Sequence, residues 1–175
     1  SVPGEYLLPT LLSAFGRKYP LIQVRAAVSD SSTVLRQVER GEVSVGLVGR
    51  KADDPHLEFR FLTSDRMVLV APNGHPLLAA KTVTVDQLAV HPLVLQGSGS
   101  GLRHCFEKSL VKAGRSLGEL RVALELSSNE AIREAVLQGM GVAVLSLYAV
   151  RKELRSGQLH ALEIRDVICD REMFV

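Results

Sequence analysis

Apolar positions at Leu8, Leu11, Leu12 and Phe15 follow the i, i+3, i+4, i+7 spacing of an amphipathic helix, predicted from near Gly4 to just before Pro20. Ile22, Val24 and Ala26 alternate with Gln23 and Arg25 and predict a strand. Asp30, Ser31 and Ser32 supply cap chemistry for a second helix carrying Val34, Leu35 and Val38, with Gly41 placed for a left-handed end. The nearly continuous apolar run from Val43 to Val48 predicts a buried parallel strand. Strand, helix, strand in this order implies a crossover unit, entered from a strand and helix ahead of Ser1. Leu57, Phe59 and Phe61 alternate with Glu58 and Arg60 as a further strand, and Met67 to Ala71 reads as another, stopped by the turn Pro72-Asn73-Gly74.

The pattern then restarts. Leu93 to Gln96 is a short strand, Gly97 to Gly101 a glycine-serine loop, and Leu102, Phe106, Leu110 and Ala113 mark a helix ending at Gly114. Val122, Leu124 and Leu126 predict a strand, after which Ser127, Ser128 and Asn129 cap a helix carrying Ile132, Ala135 and Val136. A strand at Val142 to Leu145, a helix at Leu147 to Leu154, a strand at Leu159 to Ile164 and the start of one more at Met173 to Val175 complete the chain. Two α/β units therefore flank the turn at Gly74. Open α/β sheets bind ligands at the carboxyl ends of their strands, so two such units facing each other would enclose a cleft.

Composition removes several function classes. The formal net charge of +2 is small and its basic residues are scattered, unlike the dense Lys/Arg stripe of a phosphate-backbone binder. Arg103, His104, Lys108, Lys112 and Arg115 read as a solvated helix face. No apolar run approaches the roughly 20 residues of a membrane span, and no signal peptide opens the chain. Cys105 and Cys169 lie far apart and read as reduced cytosolic thiols. Because the chain opens at Ser1 rather than Met, a longer parent protein is expected.

Catalytic signatures are weak. Gly97-Ser98-Gly99-Ser100-Gly101 contains a Gly-x-Ser-x-Gly pattern without a convincing Asp and His order behind it, and it lacks the Gly-Lys-Ser/Thr ending of a P-loop. The five histidines are scattered, so neither an enzyme, a metal site nor a cofactor is expected. The more informative signal is four polar stretches placed after a strand and before a helix: Ser1 to Gly4, Asp30 to Ser32, Gly97 to Gly101 and Ser127 to Asn129. Each offers unpaired N–H groups at the positive end of a helix dipole, and together they suit a small anion. Plain helix capping explains any one of them equally well.

Several ordered motifs resemble the effector domain of LysR-type transcriptional regulators. They are Gly4-Glu5-Tyr6-Leu7-Leu8-Pro9 with Tyr19-Pro20, Gly74-His75-Pro76-Leu77, Gly99-Ser100-Gly101-x-Arg103 with Phe106-Glu107, Ser128-Asn129-Glu130-Ala131-Ile132, and Gly139-Met140-Gly141-Val142-Ala143-Val144-Leu145-Ser146. The resemblance implies a two-lobed, periplasmic-binding-protein-like α/β fold with two Rossmann-like subdomains. Lobe one would be residues 1–72, its closing helix missing beyond Val175. Lobe two would be residues 73–170, with the second crossing strand at 171–175. Hinge strands would run near Met67 to Ala71 and Glu172 to Val175.

The resemblance also implies a small-molecule effector, a small oxyanion or carboxylate, bound between the lobes by Ser1, Val2, Ser31, Gly99, Ser100, Gly101, Leu102, Arg103, Ser128, Asn129 and Ser146. It implies a cytoplasmic homodimer or tetramer that meets DNA only through an absent N-terminal winged helix-turn-helix, with no membrane partner. Val2 and Leu102 stand where relatives often carry threonine, Ser44 where aspartate is common, and Asp30 where asparagine is frequent. Asp30 is therefore expected to face its helix cap or solvent. The alternative is a solute-binding protein of a transport system, which shares the cleft architecture.

Overall fold

The computed structural model describes residues 1–168 and 170–175. In chain order its elements are α1 (Leu8–Lys18), entered through a wide turn at Pro3–Leu7, then α2 (Ser31–Glu39), β1 (Phe61–Pro72), β2 (Thr82–Val83), α3 (Val85–Ala89), β3 (Leu93–Gln96), α4 (Gly101–Lys112), β4 (Val122–Leu126), α5 (Asn129–Leu137), β5 (Ala143–Ser146), α6 (Leu147–Ser156), β6 (Leu159–Ile164) and β7 (Asp170–Phe174).

β1 serves two parts of the molecule. Its second half is antiparallel to β5, from Met67 against Ser146 to Val70 against Ala143, and to β6, from Leu69 against Leu162 to Pro72 against Leu159. β2 joins β6 in parallel, and β3 pairs in parallel with β4. Val94 N–H donates to Val142 O at 2.8 Å and Val142 N–H to Pro92 O at 2.9 Å, which docks β3 beside the start of β5. The first half of β1 turns away and pairs with β7, from Phe61 against Phe174 to Arg66 against Asp170.

Alternation along these strands fills both faces of the sheet. Leu69 and Ala71 of β1, Leu93 and Leu95 of β3, and Val144 of β5 point to one side, where Leu102, Phe106 and Leu110 of α4 cover them. Val68, Val70, Val94, Ala143 and Leu145 point to the other, under Ile132 and Val136 of α5 and Val150 of α6. Period-two side chains buried on both faces are what a sheet sandwiched between helices requires.

The other unit departs from the sequence pattern. Residues 22–28 form no strand and have no ladder partner among the described residues, and Ile22, Val24 and Val28 are exposed. A strand is held by its neighbours rather than by its own propensity, so alternation alone did not make one. Of Val43 to Val48, only Val48 pairs, bridging Phe174 through two 2.9 Å bonds. Leu57 and Phe59 do not form the predicted strand. They pack with Val34, Leu35, Val48 and Phe174 in a small separate cluster. β1 is also longer than expected, because the polar run Thr63 to Arg66 continues the strand through its pairing with β7. The crossing segments are therefore Phe61–Arg66 and Asp170–Phe174, whereas Met67–Ala71 lies inside the sheet of the second unit.

α3 went unread in the sequence, although Thr84 and Gln87 form a reciprocal capping box at its start. The basic face of α4 is only partly solvated. Arg103 is ion-paired with Glu107 at 2.8 Å and Glu125 at 2.9 Å, and Arg115 with Glu119 at 2.6 Å and with Asp86. Cys105 forms no disulfide among the described residues, and burial pushes its thiol up, toward the unreactive protonated form. Cys169 lies outside the described residues. No helix among them is long and apolar enough to cross a membrane.

His75 and His91 meet edge to face, with ring centroids 4.8 Å apart, and His75 Nδ1 accepts from Leu77 N–H at 3.3 Å. Burial first, and the His91 charge second, hold His75 below its ordinary value of 6.5. The unfolded chain therefore binds that proton more readily. The stability involved is present above 6.5 and is lost as pH falls through the lower folded value. Thermal melts taken from pH 7 down to pH 5 should show the wild-type Tm falling more steeply than that of His75→Asn, which keeps an acceptor for Leu77 but does not titrate.

Candidate functional site

Helix starts are the common feature of the site, and each is built locally. Asp30 caps α2, its carboxylate accepting from Thr33 N–H and Thr33 Oγ1–H, both at 3.0 Å. Burial pushes this carboxyl up, but the bonds from Thr33 and Ser32 outweigh it and hold Asp30 below the ordinary aspartate value. Ser100 caps α4, accepting from Leu102 N–H at 3.2 Å and Arg103 N–H at 3.4 Å. Ser128 and Ser146 cap α5 and α6.

The start of the Pro3–Leu7 turn and the N-termini of α2, α4 and α5 meet around a cavity of about 30 Å³. That is room for roughly one water molecule. Its smallness follows from direct contact between the two units. Ser32 N–H and Oγ–H both donate to Gly99 O at 3.3 Å, and Asn129 Nδ2–H donates to Glu5 Oε2 at 3.2 Å. Glycine makes the approach possible: a Cβ at Gly99 would lie 2.5 Å from Asp30 Oδ1, and one at Gly101 would lie 3.0 Å from the Gly49 carbonyl carbon.

Ser31 Oγ accepts from Gly49 N–H at 3.1 Å, and Ser100 Oγ accepts from α4. Neither hydroxyl donates to another described residue, so both O–H groups are available to an acceptor in the cavity. A larger groove of about 1000 Å³ lies between Tyr6, Leu11, Arg133, Tyr148 and Lys152. Its largely buried Arg133 is already paired with Glu130, Glu134 and Glu153, while Arg151 and Lys152 also line it.

Over residues 1–175 the chain matches the family model described as the LysR substrate binding domain. It belongs to that family. A similar relative, the phosphonates import ATP-binding protein PhnC of Anaeromyxobacter dehalogenans, is 36% identical over 99% of this chain but only 35% of its own. The HTH-type transcriptional regulator CbbR of Rhizobium meliloti is 28% identical over 98% of this chain and 54% of its own. The chain thus spans about half the length of the curated regulators it matches, and about a third of the PhnC protein. The regulatory domain of CcmR from Synechocystis, solved in complex with 2-PG, superposes with a TM-score of 0.86 at 26% identity, covering 99% of this chain and 82% of that one. The architecture is the two-lobed, periplasmic-binding-protein-like fold of LysR effector-binding domains.

Within this LysR domain the cavity gathers seven of the sequence-predicted site residues: Ser1, Val2, Ser31, Ser100, Gly101, Leu102 and Asn129. Gly99 is not among the lining residues; it lies against Asp30, which is. Three others do not reach it. Ser128 is exposed and spends its hydroxyl on the α5 cap, so its neighbours Ser127 and Asn129 line the cavity instead. Arg103 is held by Glu107, Glu125 and Gln96 O. Ser146 is fully buried and donates to Asp65 Oδ1 at 2.6 Å. Asp30 faces its cap, as expected, although it also borders the cavity.

Two lining residues were missed by sequence reasoning: Gln96 at the end of β3 and Arg171 of β7. Arg171 is the direct cross-strand partner of Asp65. Its Nε–H donates to Asp65 Oδ2 at 2.8 Å, while Nη2 sits 2.7 Å from the same oxygen in an ion pair that lacks hydrogen-bond alignment. The side chains are 4% and 0% exposed. A signal was present in the period-two pattern: Asp65 falls on the inward face of β1 with Met67 and Leu69, and Arg171 falls on the inward face of β7 with Met173.

Removing one member of such a pair leaves a buried charge uncompensated. Asp65→Asn should lower unfolding free energy in urea by about 3–5 kcal/mol. The double variant Asp65→Asn, Arg171→Met should recover part of that loss, giving a non-additive double-mutant cycle.

Proposed function

We propose that this domain is the sensor of a LysR-type transcriptional regulator and holds a small oxyanion or carboxylate in the interlobe cleft. The observation that carries this reading is the convergence of three helix N-termini, the start of the Pro3–Leu7 turn and the Arg171 guanidinium on one cavity. The two free serine hydroxyls add donors without adding charge. Asp30, the nearest carboxylate to Gly99, is turned into its own cap by Thr33. Similarity to a phosphonates import protein favours a phosphorus oxyanion among the candidates. The family match and the regulators among the relatives favour a sensor over a solute-binding protein.

In this reading the whole protein is a cytoplasmic homodimer or tetramer. It meets DNA through a winged helix-turn-helix outside this chain. An effector that fits only a wider cleft must part the Ser32–Gly99 contact, and it thereby selects one hinge angle of the crossing strands.

Ser100→Glu places a negative charge and extra volume at the α4 N-terminus. Titration calorimetry with inorganic phosphate, methylphosphonate and glycolate should give binding to the wild-type domain for at least one anion. Affinity for that anion should fall at least about tenfold in Ser100→Glu, with circular dichroism unchanged. In the whole regulator the same change should hold reporter expression at its uninduced level. Equal affinity in wild type and Ser100→Glu would place the site elsewhere.

A further inference from the structure

Gln96 is 3% exposed, stands at the carboxyl end of β3 and lines the same cavity as Ser31, Ser100 and Arg171. Its Nε2–H donates to Val144 O at 3.0 Å. A carbonyl can only accept, so this bond fixes which end of the amide is which: turning it over would set two oxygens against each other. Oε1 is then held in place as an acceptor. It is buried, and among the described residues no donor reaches it. Buried acceptors are almost always matched, and one left open at a binding site points to a partner that arrives from outside.

From this we infer that the effector carries a hydrogen-bond donor beside its anionic group, of the kind a hydroxyl supplies, and that Gln96 Oε1 reads it. The inference rests on the cleft reading above. The division of labour is chemical. Arg171, the helix N-termini and the Ser31 and Ser100 hydroxyls present donors, which suit the oxyanion. Gln96 Oε1 presents a lone pair, which repels an oxyanion and attracts an O–H. A short hydroxy acid or hydroxyalkyl phosphonate satisfies both halves, whereas an alkyl anion of the same size leaves Oε1 desolvated and unpaired.

Isosteric probe pairs separate this from simple anion binding: hydroxymethylphosphonate against ethylphosphonate, and glycolate against propionate. Each pair exchanges a hydroxyl for a methyl group. Calorimetry on the wild-type domain should show the hydroxylated member binding at least about tenfold more tightly in the pair that binds. Gln96→Met should bring the two members of that pair to within about threefold of each other. Wild-type protein that binds both members equally, as it would if an ordered water satisfied Oε1, overturns the donor requirement and leaves the anion site standing. If no member of either pair binds at millimolar concentration, the donor requirement fails, and the anion site fails with it unless inorganic phosphate or methylphosphonate binds. The wild-type comparison needs no variant to fold, so the inference does not depend on Gln96→Met being stable.

Discussion

One buried carboxylate ties the two lobes to the cleft. Asp65 sits where β1 leaves the crossing pair and enters the sheet, and each of its oxygens is committed: Oδ1 to Ser146 at the end of β5, Oδ2 to Arg171 on β7. Separating opposite charges in a water-excluded site is far more costly than at the surface. The register of β1 against β7 is therefore held by charge as well as by the ladder. The same contact positions the Arg171 guanidinium at the cavity wall. Without Asp65, that guanidinium would have neither a fixed place nor a matched charge.

Its pairing also shapes the chemistry of the cavity. Asp65 neutralises Arg171 as a net charge yet leaves its guanidinium edge beside the helix N-termini. The cleft is thus positive through oriented dipoles and a buffered guanidinium, not through a cluster of lysines. Dipoles fixed by folded helices act at short range and demand contact, which favours a ligand that fits over any passing anion. Gln96 lines the same cavity with its Nε2–H given to Val144 O and its Oε1 buried without a donor among the described residues.

Around the cavity, closure runs through backbone. Gly99 and Gly101 bring the loop before α4 against Asp30, Ser31 and Gly49, and two hydrogen bonds from Ser32 to Gly99 span the gap. A cavity of about 30 Å³ is too small for an organic anion, so in the proposed reading entry of such a ligand would require the lobes to part. Across the lobes Ser32 bonds Gly99 and Asn129 bonds Glu5, both part-buried, and Tyr6 packs against the second lobe's apolar cluster.

Local chemistry was legible in the sequence wherever it was self-sufficient. Asp30, Ser100 and Ser128 cap helices within three residues of themselves, and β6 was readable at Leu159 to Ile164 because both its ends and its burial follow from neighbouring residues. The meeting of these caps was expected from two α/β units facing across a cleft, but nothing local brings Ser31 to Gly101. The tertiary structure alone decided the rest. Residues 22–28 have the alternation of a strand but no described neighbour to pair with, and Arg103 looked available until Glu125, from another strand, claimed it. Asp65 and Arg171 are 106 positions apart, and each reads by itself as a surface charge in a polar stretch. Only the antiparallel register of β1 and β7 makes them face each other, because a charge becomes tolerable inside a protein when its partner is delivered by the fold.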